Sequence, residues 1–232
     1  MVDVYPTDNF GTTCVYLPSD LEKWSFLIEE VVGHLVDRYG IEEVQNWRFS
    51  PSAALYVSYN VFTMEEYLEY YLCTYNSIRK KLPNARITGC KMDTGFIVLD
   101  GQKELIQFME FCRAHDCMPD EFSFQCFQCD YSGVHRHEIE KKLVAKWEMQ
   151  VNEPAKVSDN PDVLADEVAF VRKILDDHGG AGKSIIISSW NSTIWQGDLG
   201  NDTCFKSAYI FKSFLENTDH VTGLSYNVLM DN

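Results

Sequence analysis

The chain has 232 residues, of which 45% are hydrophobic and 13% aromatic, and its formal net charge is −15. This length and composition support one sizeable hydrophobic core, while the acidic charge argues against direct contact with nucleic acid by this segment, because phosphate backbones repel it. No apolar run is long enough to cross a membrane, and eight cysteines in a chain that starts without a signal-peptide pattern predict free thiols and a cytoplasmic location.

The first part of the chain predicts three helices that alternate with short strands. The first helix spans 19–40, where Ser19 or Asp20 can cap it and Gly40 can end it. A short strand over 44–52 follows. Thr63 is a candidate cap for the second helix, whose last turn is basic. A strand over 85–92 and a helix over 103–116 come next.

The second part of the chain continues the same alternation. A strand is predicted over 121–128, an irregular helix over 138–146, and a clear helix over 161–180 with Pro161 near its start and Gly179 at its end. The unbroken apolar run Ile185–Ile187 is typical of a strand covered on both faces. A helix over 202–217 and a strand over 221–229 end the series. Five strands separated by helices predict a parallel α/β sheet with right-handed crossovers.

Two segments, KWSFLIEEVVGHLVDRYGIEEVQNWRF and NDTCFKSAYIFKSFLENTDHVTGLSY, resemble glycoside hydrolase family 39, the β-xylosidase type, in the same order along nearly the whole chain. The resemblance implies a (β/α)₈ TIM barrel, of which the chain matches the fourth to eighth strands. It therefore predicts one partial barrel domain over 1–232. Five strands cannot close an eight-stranded barrel. We therefore expect an open, curved sheet whose edges are covered by irregular segments, by a partner subunit, or by the missing N-terminal barrel half of a longer chain.

The resemblance also locates the positions that carry catalysis in the family. The acid/base glutamate of its W-N-E-P motif falls on Ala54, and the preceding asparagine falls on Ala53. The nucleophile of the seventh strand falls on Ser189, and a sixth-strand histidine falls on Gln125. Retaining hydrolysis needs two carboxyl groups roughly 5 Å apart, and neither alanine nor serine supplies one. The sequence therefore predicts that the chain is not an enzyme and has no catalytic residues.

Aromatic and neutral polar side chains at the strand ends can still bind an oligosaccharide or a small sugar, because sugars stack on aromatic rings and hydrogen-bond to amides and hydroxyls. For Trp190 a core position and a binding position are equally consistent with the sequence, since the residue follows a buried strand. The candidate ligand-binding residues are Gln125, Phe127, Ser189, Trp190, Asn191, Trp195, Tyr226 and Asn227, with Tyr56 as a further candidate.

Three functions are compatible with these features. The first is a non-catalytic, carbohydrate-sensing domain at the C-terminal end of an AraC-type transcription regulator, where family-39-like modules also occur. The second is a working glycosidase that uses unmatched carboxylates such as Asp93, Asp130 or Asp198. The third is a purely structural or dimerisation module.

Two motifs suggest other chemistry. Cys126 and Cys129, together with His135 and His137, contain the ligand types of a zinc site, but their spacing is not that of a zinc finger. A cysteine on a strand is more often a small apolar residue, so we predict neither a metal nor a cofactor. The N-E-P triplet at 152–154 does not follow the fourth strand, and we interpret it as part of a solvated loop.

Overall fold

The computed structural model describes residues 2–4, 17–51, 62–127, 158, 160–192 and 200–227. Its sheet has six parallel strands, and each strand pairs with the one before it in the chain. The described sheet is therefore open, with the first and the sixth strand at its edges. The strands are β1 (Val2–Val4), β2 (Arg48–Pro51), β3 (Arg86–Asp93), β4 (Glu121–Phe127), β5 (Ser184–Asn191) and β6 (Gly223–Tyr226).

Helices connect the strands as the sequence predicts. The helices are α1 (Leu21–Tyr39), α2 (Ile41–Val44), α3 (Met64–Lys81), α4 (Thr94–Phe96), α5 (Gln102–Ala114), α6 (Val163–Asp177) and α7 (Cys204–Asn217), with a π-helical turn at Ile97–Gly101. The predicted partial barrel is confirmed. The structure adds one strand, β1, to the five that were predicted. The helix predicted over 138–146 lies outside the described residues.

The helix boundaries follow local chemistry. The Asp20 side chain accepts the backbone N–H of Lys23 at 3.0 Å, and α1 ends at Gly40, whose φ of 84° is accessible to glycine. Thr63 and Glu66 form a reciprocal capping box at the start of α3. These contacts satisfy backbone groups that a helix end otherwise leaves without partners.

The core lies between the sheet and its helices. Ile185, Ile186 and Ile187 are all buried, which confirms that β5 is covered on both faces. Phe122 and Phe124 alternate with Ser123 along β4, so both rings lie on one face of the sheet, where they are buried and stack with centroids 6.3 Å apart. Ser123, on the other face, is buried as well, so both faces of β4 are covered here.

Candidate functional site

Three polar residues lie side by side at the carboxyl ends of three neighbouring strands. Asp93 of β3 is in register with Gln125 of β4, which is in register with Ser189 of β5. We call these three residues the strand-end row. Ligands of parallel α/β folds bind at the carboxyl ends of the strands, so the strand-end row is the part of the sheet where a site is expected.

Irregularities in the strands produce this alignment. The register of β3 against β4 shifts between Gly89 and Met92, where Cys90 has a φ of 44°. The register of β5 shifts at Ser188, which has no partner residue on β4, and the Ser188 hydroxyl donates to the Phe124 carbonyl at 3.0 Å. Bulges change the direction of the side chains that follow them, and here they bring Asp93 and Ser189 level with Gln125.

Asp93 is a buried acid at one end of the row. Its Oδ1 accepts the backbone N–H of Phe96 at 3.1 Å, so the side chain also caps α4. Burial, reinforced by the negative charge of nearby Glu167, raises the pKa of Asp93 to about 8. Near neutral pH this carboxyl therefore holds a proton that it can donate.

Glu167 lies behind the row, on the buried face of α6. Its Oε2 is 3.1 Å from the Cys126 Sγ, which donates to it, and 2.5 Å from the Thr94 hydroxyl. The same Thr94 hydroxyl is 3.0 Å from the Gln125 carbonyl, which can only accept. A hydroxyl has one proton, so Thr94 can donate to Gln125 and still bond to Glu167 only if the Glu167 carboxyl is protonated. Burial raises the pKa of Glu167 to about 7, which agrees with this arrangement.

A second polar cluster lies beyond the row, at the end of β5. Lys206 of α7 is buried, and its Nζ donates to the Asn191 Oδ1 at 2.6 Å and to the Ser192 hydroxyl. The Tyr226 hydroxyl donates to the same Asn191 oxygen at 3.3 Å, and the Asn191 Nδ2 donates to the Asn227 carbonyl at 2.6 Å. The structure thus brings three of the predicted ligand-binding residues together around a lysine that the sequence interpretation missed.

Trp190 occupies the core position that the sequence left open. The side chain is 2% exposed. Its ring lies 5.8 Å from that of Tyr209 and 5.2 Å, edge to face, from that of Tyr226. The ring therefore offers no open face on which a sugar could stack. The half-buried Phe127, which is in register with Asn191, is the predicted aromatic residue nearest to the row on β4.

Several predicted residues lie outside the described part of the chain: Ala53, Ala54, Tyr56, Cys129, Asp130, His135, His137, Trp195, Asp198 and the triplet 152–154. Their roles stay predictions. Cys126, the described member of the suggested zinc set, is buried against Glu167. Among the described residues no group of three histidine, cysteine or acidic side chains could hold a metal ion. No described helix is long and apolar enough to span a membrane.

A cavity of about 760 Å³ lies at the opposite, amino-terminal end of the strands. Ion pairs line it, with Arg48 Nε 2.6 Å from Glu121 Oε2 and Arg79 Nη2 2.6 Å from Asp120 Oδ2. In α/β barrels the amino-terminal end serves stability. These charges have partners of the opposite sign, so we assign the cavity to the support of the sheet and place the candidate site at the strand-end row.

The sequence matches the model of glycosyl hydrolases family 39 over residues 5–232. It is 24% identical over 216 residues to a β-xylosidase of Geobacillus stearothermophilus, covering 92% of this chain and 40% of that protein. A 74-residue stretch is 36% identical to a β-xylosidase of Caldicellulosiruptor saccharolyticus, covering 31% of this chain and 15% of that protein.

Solved structures show the same fold. The GH39 enzyme from Xanthomonas axonopodis pv. citri aligns with a TM-score of 0.72 at 20% identity, over 89% of this chain and 37% of that one. A monomeric β-xylosidase from Caulobacter crescentus aligns with a TM-score of 0.71 at 21% identity, over 90% and 39%. The chain thus spans about two fifths of the length of these proteins.

The comparisons contradict the expectation that the chain is not an enzyme. That expectation rested on Ala54 and Ser189 in the family's two catalytic positions. The family whose model matches almost the whole chain is one of glycoside hydrolases, and the two curated relatives described above are β-xylosidases. The loss of two matched carboxylates is therefore too weak a reason to exclude hydrolysis.

Proposed function

We propose, because this chain belongs to the glycosyl hydrolases family 39, that it binds β-xylosides at the strand-end row and takes part in their hydrolysis. The substrate class comes from the names of the two curated relatives. The chain spans only part of their length, so both the substrate and the reaction are proposals for this protein.

The register of Asp93, Gln125 and Ser189 is the observation that carries the proposal. Gln125 and Ser189 supply an amide and a hydroxyl, which are suited to sugar hydroxyl groups. Asp93 supplies a buried carboxyl whose raised pKa, about 8, keeps it protonated near neutral pH. Cleavage of a glycosidic bond needs such an acid to protonate the leaving oxygen, and a water or a carboxylate to attack the anomeric carbon. The strand-end row supplies the acid, and the attacking group comes from outside the row. We therefore assign Asp93 the role of general acid.

The test is hydrolysis of a nitrophenyl β-xyloside, with binding of xylo-oligosaccharides followed by calorimetry. Asp93→Asn keeps the shape of the side chain but removes the acidic proton, so we expect kcat to fall by about 100-fold or more while binding persists. Glu110→Gln, which changes an exposed glutamate on α5, is the matched control and leaves both readouts unchanged. Equal turnover by Asp93→Asn and the unaltered chain would remove Asp93 from the reaction. Absence of both turnover and binding heat would refute the function.

Carbohydrate sensing within an AraC-type transcription regulator is a second candidate. The neutral side chains of Gln125 and Ser189 favour it, because they can hold and release a sugar without reacting with it. A helix-turn-helix encoded in the same reading frame, together with a DNA affinity that changes on adding xylose, is the expected result. A reading frame without a DNA-binding element would rule this candidate out.

A further inference from the structure

Two cysteines, Cys112 and Cys117, lie on either side of the C-terminal end of helix α5. Cys112 belongs to the last turn of the helix, and Cys117 is the third residue after Ala114, where α5 ends. Both side chains are buried, and both thiols are free. We call these two residues the α5-end pair. Their spacing in sequence alone does not bring two side chains together, so the backbone at the helix end decides whether the thiols meet.

The backbone at this helix end places the two cysteines next to each other. The Cys117 N–H donates to the Cys112 carbonyl at 2.9 Å, and Asp116 between them has a φ of 53°. A left-handed residue followed by this backward hydrogen bond is the Schellman motif, which is frequently accompanied by a contact between the side chains at these two positions. Cysteine fills such an apolar position as a small hydrophobic residue, but here both positions carry a thiol.

The same hydrogen bond limits the separation of the two residues. A Cα atom lies about 2.4 Å from the carbonyl oxygen of its own residue and about 1.5 Å from its own nitrogen. With the 2.9 Å hydrogen bond between them, the Cα atoms of Cys112 and Cys117 are at most about 6.8 Å apart. Disulfides usually join residues whose Cα atoms are about 4.4–6.8 Å apart. The α5-end pair therefore does not exceed the distance that a disulfide spans.

The two thiols interact directly. The Cys112 thiol donates to the Cys117 sulfur, which lowers the pKa of Cys117 and raises that of Cys112. The thiolate is the form that attacks an oxidant, so Cys117 is the nucleophile of the pair and Cys112 is the thiol that completes the bond. Cys90 of β3 also interacts with Cys112, through charge, and is therefore the competing partner that a test has to exclude.

We propose that the α5-end pair is an oxidation site, at which a peroxide converts the two thiols into a disulfide between Cys112 and Cys117. The Cys117 thiolate attacks one oxygen of hydrogen peroxide and breaks the O–O bond, which gives a sulfenic acid and one water. The Cys112 sulfur then attacks the Cys117 sulfur, and the displaced hydroxyl leaves with the Cys112 proton as a second water. The two thiols lose two electrons, and the peroxide gains them.

The position of the pair provides both access and a structural effect. Residues 113–116 are all exposed, so opening of this one turn uncovers both thiols. The Cys117 carbonyl accepts the hydroxyl of Tyr71 on α3 at 3.2 Å. A disulfide between Cys112 and Cys117 holds the turn in this closed arrangement and slows its opening. The inference rests on this helix end and is independent of the proposed function.

The test is peptide mapping of the whole chain after treatment with hydrogen peroxide, with trypsin digestion in the absence of a reductant. Trypsin cleaves after Arg113, so Cys112 and Cys117 fall on separate peptides. We expect these two peptides to be joined, at a mass about 2 Da below their sum, and to separate on reduction. The peptide of Cys117 also contains Cys126 and Cys129, so fragment spectra assign the bond to one of the three.

Two variants and one further measurement sharpen the test. Cys117→Ser should abolish the joined peptides, whereas Cys90→Ser, the matched control, should leave them unchanged. In hydrogen exchange, the amides of residues 114–117 should exchange at least tenfold more slowly in the oxidised chain than in the reduced chain. Circular dichroism of each variant shows whether it is folded, and the mapping of the unaltered chain does not depend on either variant.

Three outcomes would overturn the proposal. The first is a bond from Cys112 to Cys90. The second is a bond from Cys117 to another cysteine of its own peptide. The third is a chain in which iodoacetamide, added under denaturing conditions after the peroxide, still alkylates Cys112 and Cys117 completely. Equal exchange rates in the oxidised and reduced chains would remove the proposed effect on the turn.

Discussion

Replacing Glu167 by glutamine should reduce the loss of stability that this protein suffers as the pH rises. Burial raises the pKa of Glu167 from 4.5 to about 7. Below pH 4.5 the carboxyl is protonated in both the folded and the unfolded chain. As the pH rises toward 7 the unfolded chain releases the proton while the folded chain retains it, so the free energy of unfolding decreases with rising pH.

The magnitude follows from the size of the pKa change. One pKa unit corresponds to about 1.4 kcal/mol, so Glu167 removes about 3 kcal/mol of stability between pH 4.5 and pH 8. For a chain of this length that corresponds to a fall of about 6–12 °C in the melting midpoint. Glu167→Gln cannot ionise, and its decline over this range should be smaller than that of the unaltered protein by this amount.

The assay is thermal unfolding followed by circular dichroism at intervals from pH 4.5 to pH 9. Asp93 also titrates in this range, because burial and Glu167 raise its pKa to about 8. The melting midpoint of the double variant Asp93→Asn, Glu167→Gln should therefore change least with pH. Glu110→Gln, with its exposed side chain, should follow the unaltered protein. If the melting midpoints of Glu167→Gln and of the unaltered protein fall equally with rising pH, the assignment of a protonated, buried Glu167 is refuted.

Four further substitutions test the packing and one helix cap, each by urea denaturation. Gly89→Ala should destabilise the chain by about 1–3 kcal/mol, because the added Cβ would lie 2.8 Å from the Pro119 side chain. Gly33→Ala should instead stabilise the chain by about 0.5–1 kcal/mol, because Gly33 lies in helix α1 and the nearest atom to the added Cβ is 4.0 Å away. Equal changes in stability for Gly89→Ala and Gly33→Ala would contradict the packing described here. Thr63→Ala removes the capping box and should lower the free energy of unfolding by about 1 kcal/mol. An unchanged free energy of unfolding would show that the cap is not formed in solution. Trp190→Ala should cost about 3–5 kcal/mol, whereas a cost below 1 kcal/mol would indicate an open rather than a packed ring.

The elements that could be predicted from the sequence are those set by local chemistry. The cap at Thr63, the cap at Asp20 and the glycine end at Gly40 depend on residues within one helical turn, and all three are confirmed. Three elements were not predicted, the first being the four-residue helix α2, whose last residue falls in the strand expected over 44–52. The three-residue strand β1 is too short for a period-2 pattern, and the turn over 94–101 joins α4 to a π-helical segment that has no simple residue pattern.

The candidate site could be predicted only in part, because its contacts join distant residues. The resemblance drew attention to Gln125 and Ser189, yet their common register depends on a bulge at Ser188 that alternation cannot reveal. Glu167 bonds to Thr94 across 73 positions of sequence. Lys206 lies 15 positions beyond Asn191. Its helical spacing with Tyr209 and Ser213, which are also buried in α7, is the one sequence signal that could have indicated a buried lysine.

The Thr94 hydroxyl bonds to both the Gln125 carbonyl and the Glu167 carboxyl, and so connects the protonation of Glu167 to the strand-end row. While Glu167 is protonated, the Thr94 hydroxyl can donate to the Gln125 carbonyl and accept from the carboxyl. Loss of the Glu167 proton leaves an acceptor, which competes with the Gln125 carbonyl for the single Thr94 proton. The Gln125 carbonyl then loses this hydrogen bond, at the point where the pairing of β4 with β5 shifts its register. Asp93 of the row also titrates near pH 8, so the comparison is made with Asp93 replaced by asparagine. We expect the affinity of the row for a sugar to decrease above pH 7 in Asp93→Asn and to be independent of pH over that range in the double variant Asp93→Asn, Glu167→Gln. An affinity that falls equally in both would show that Thr94 does not transmit the change.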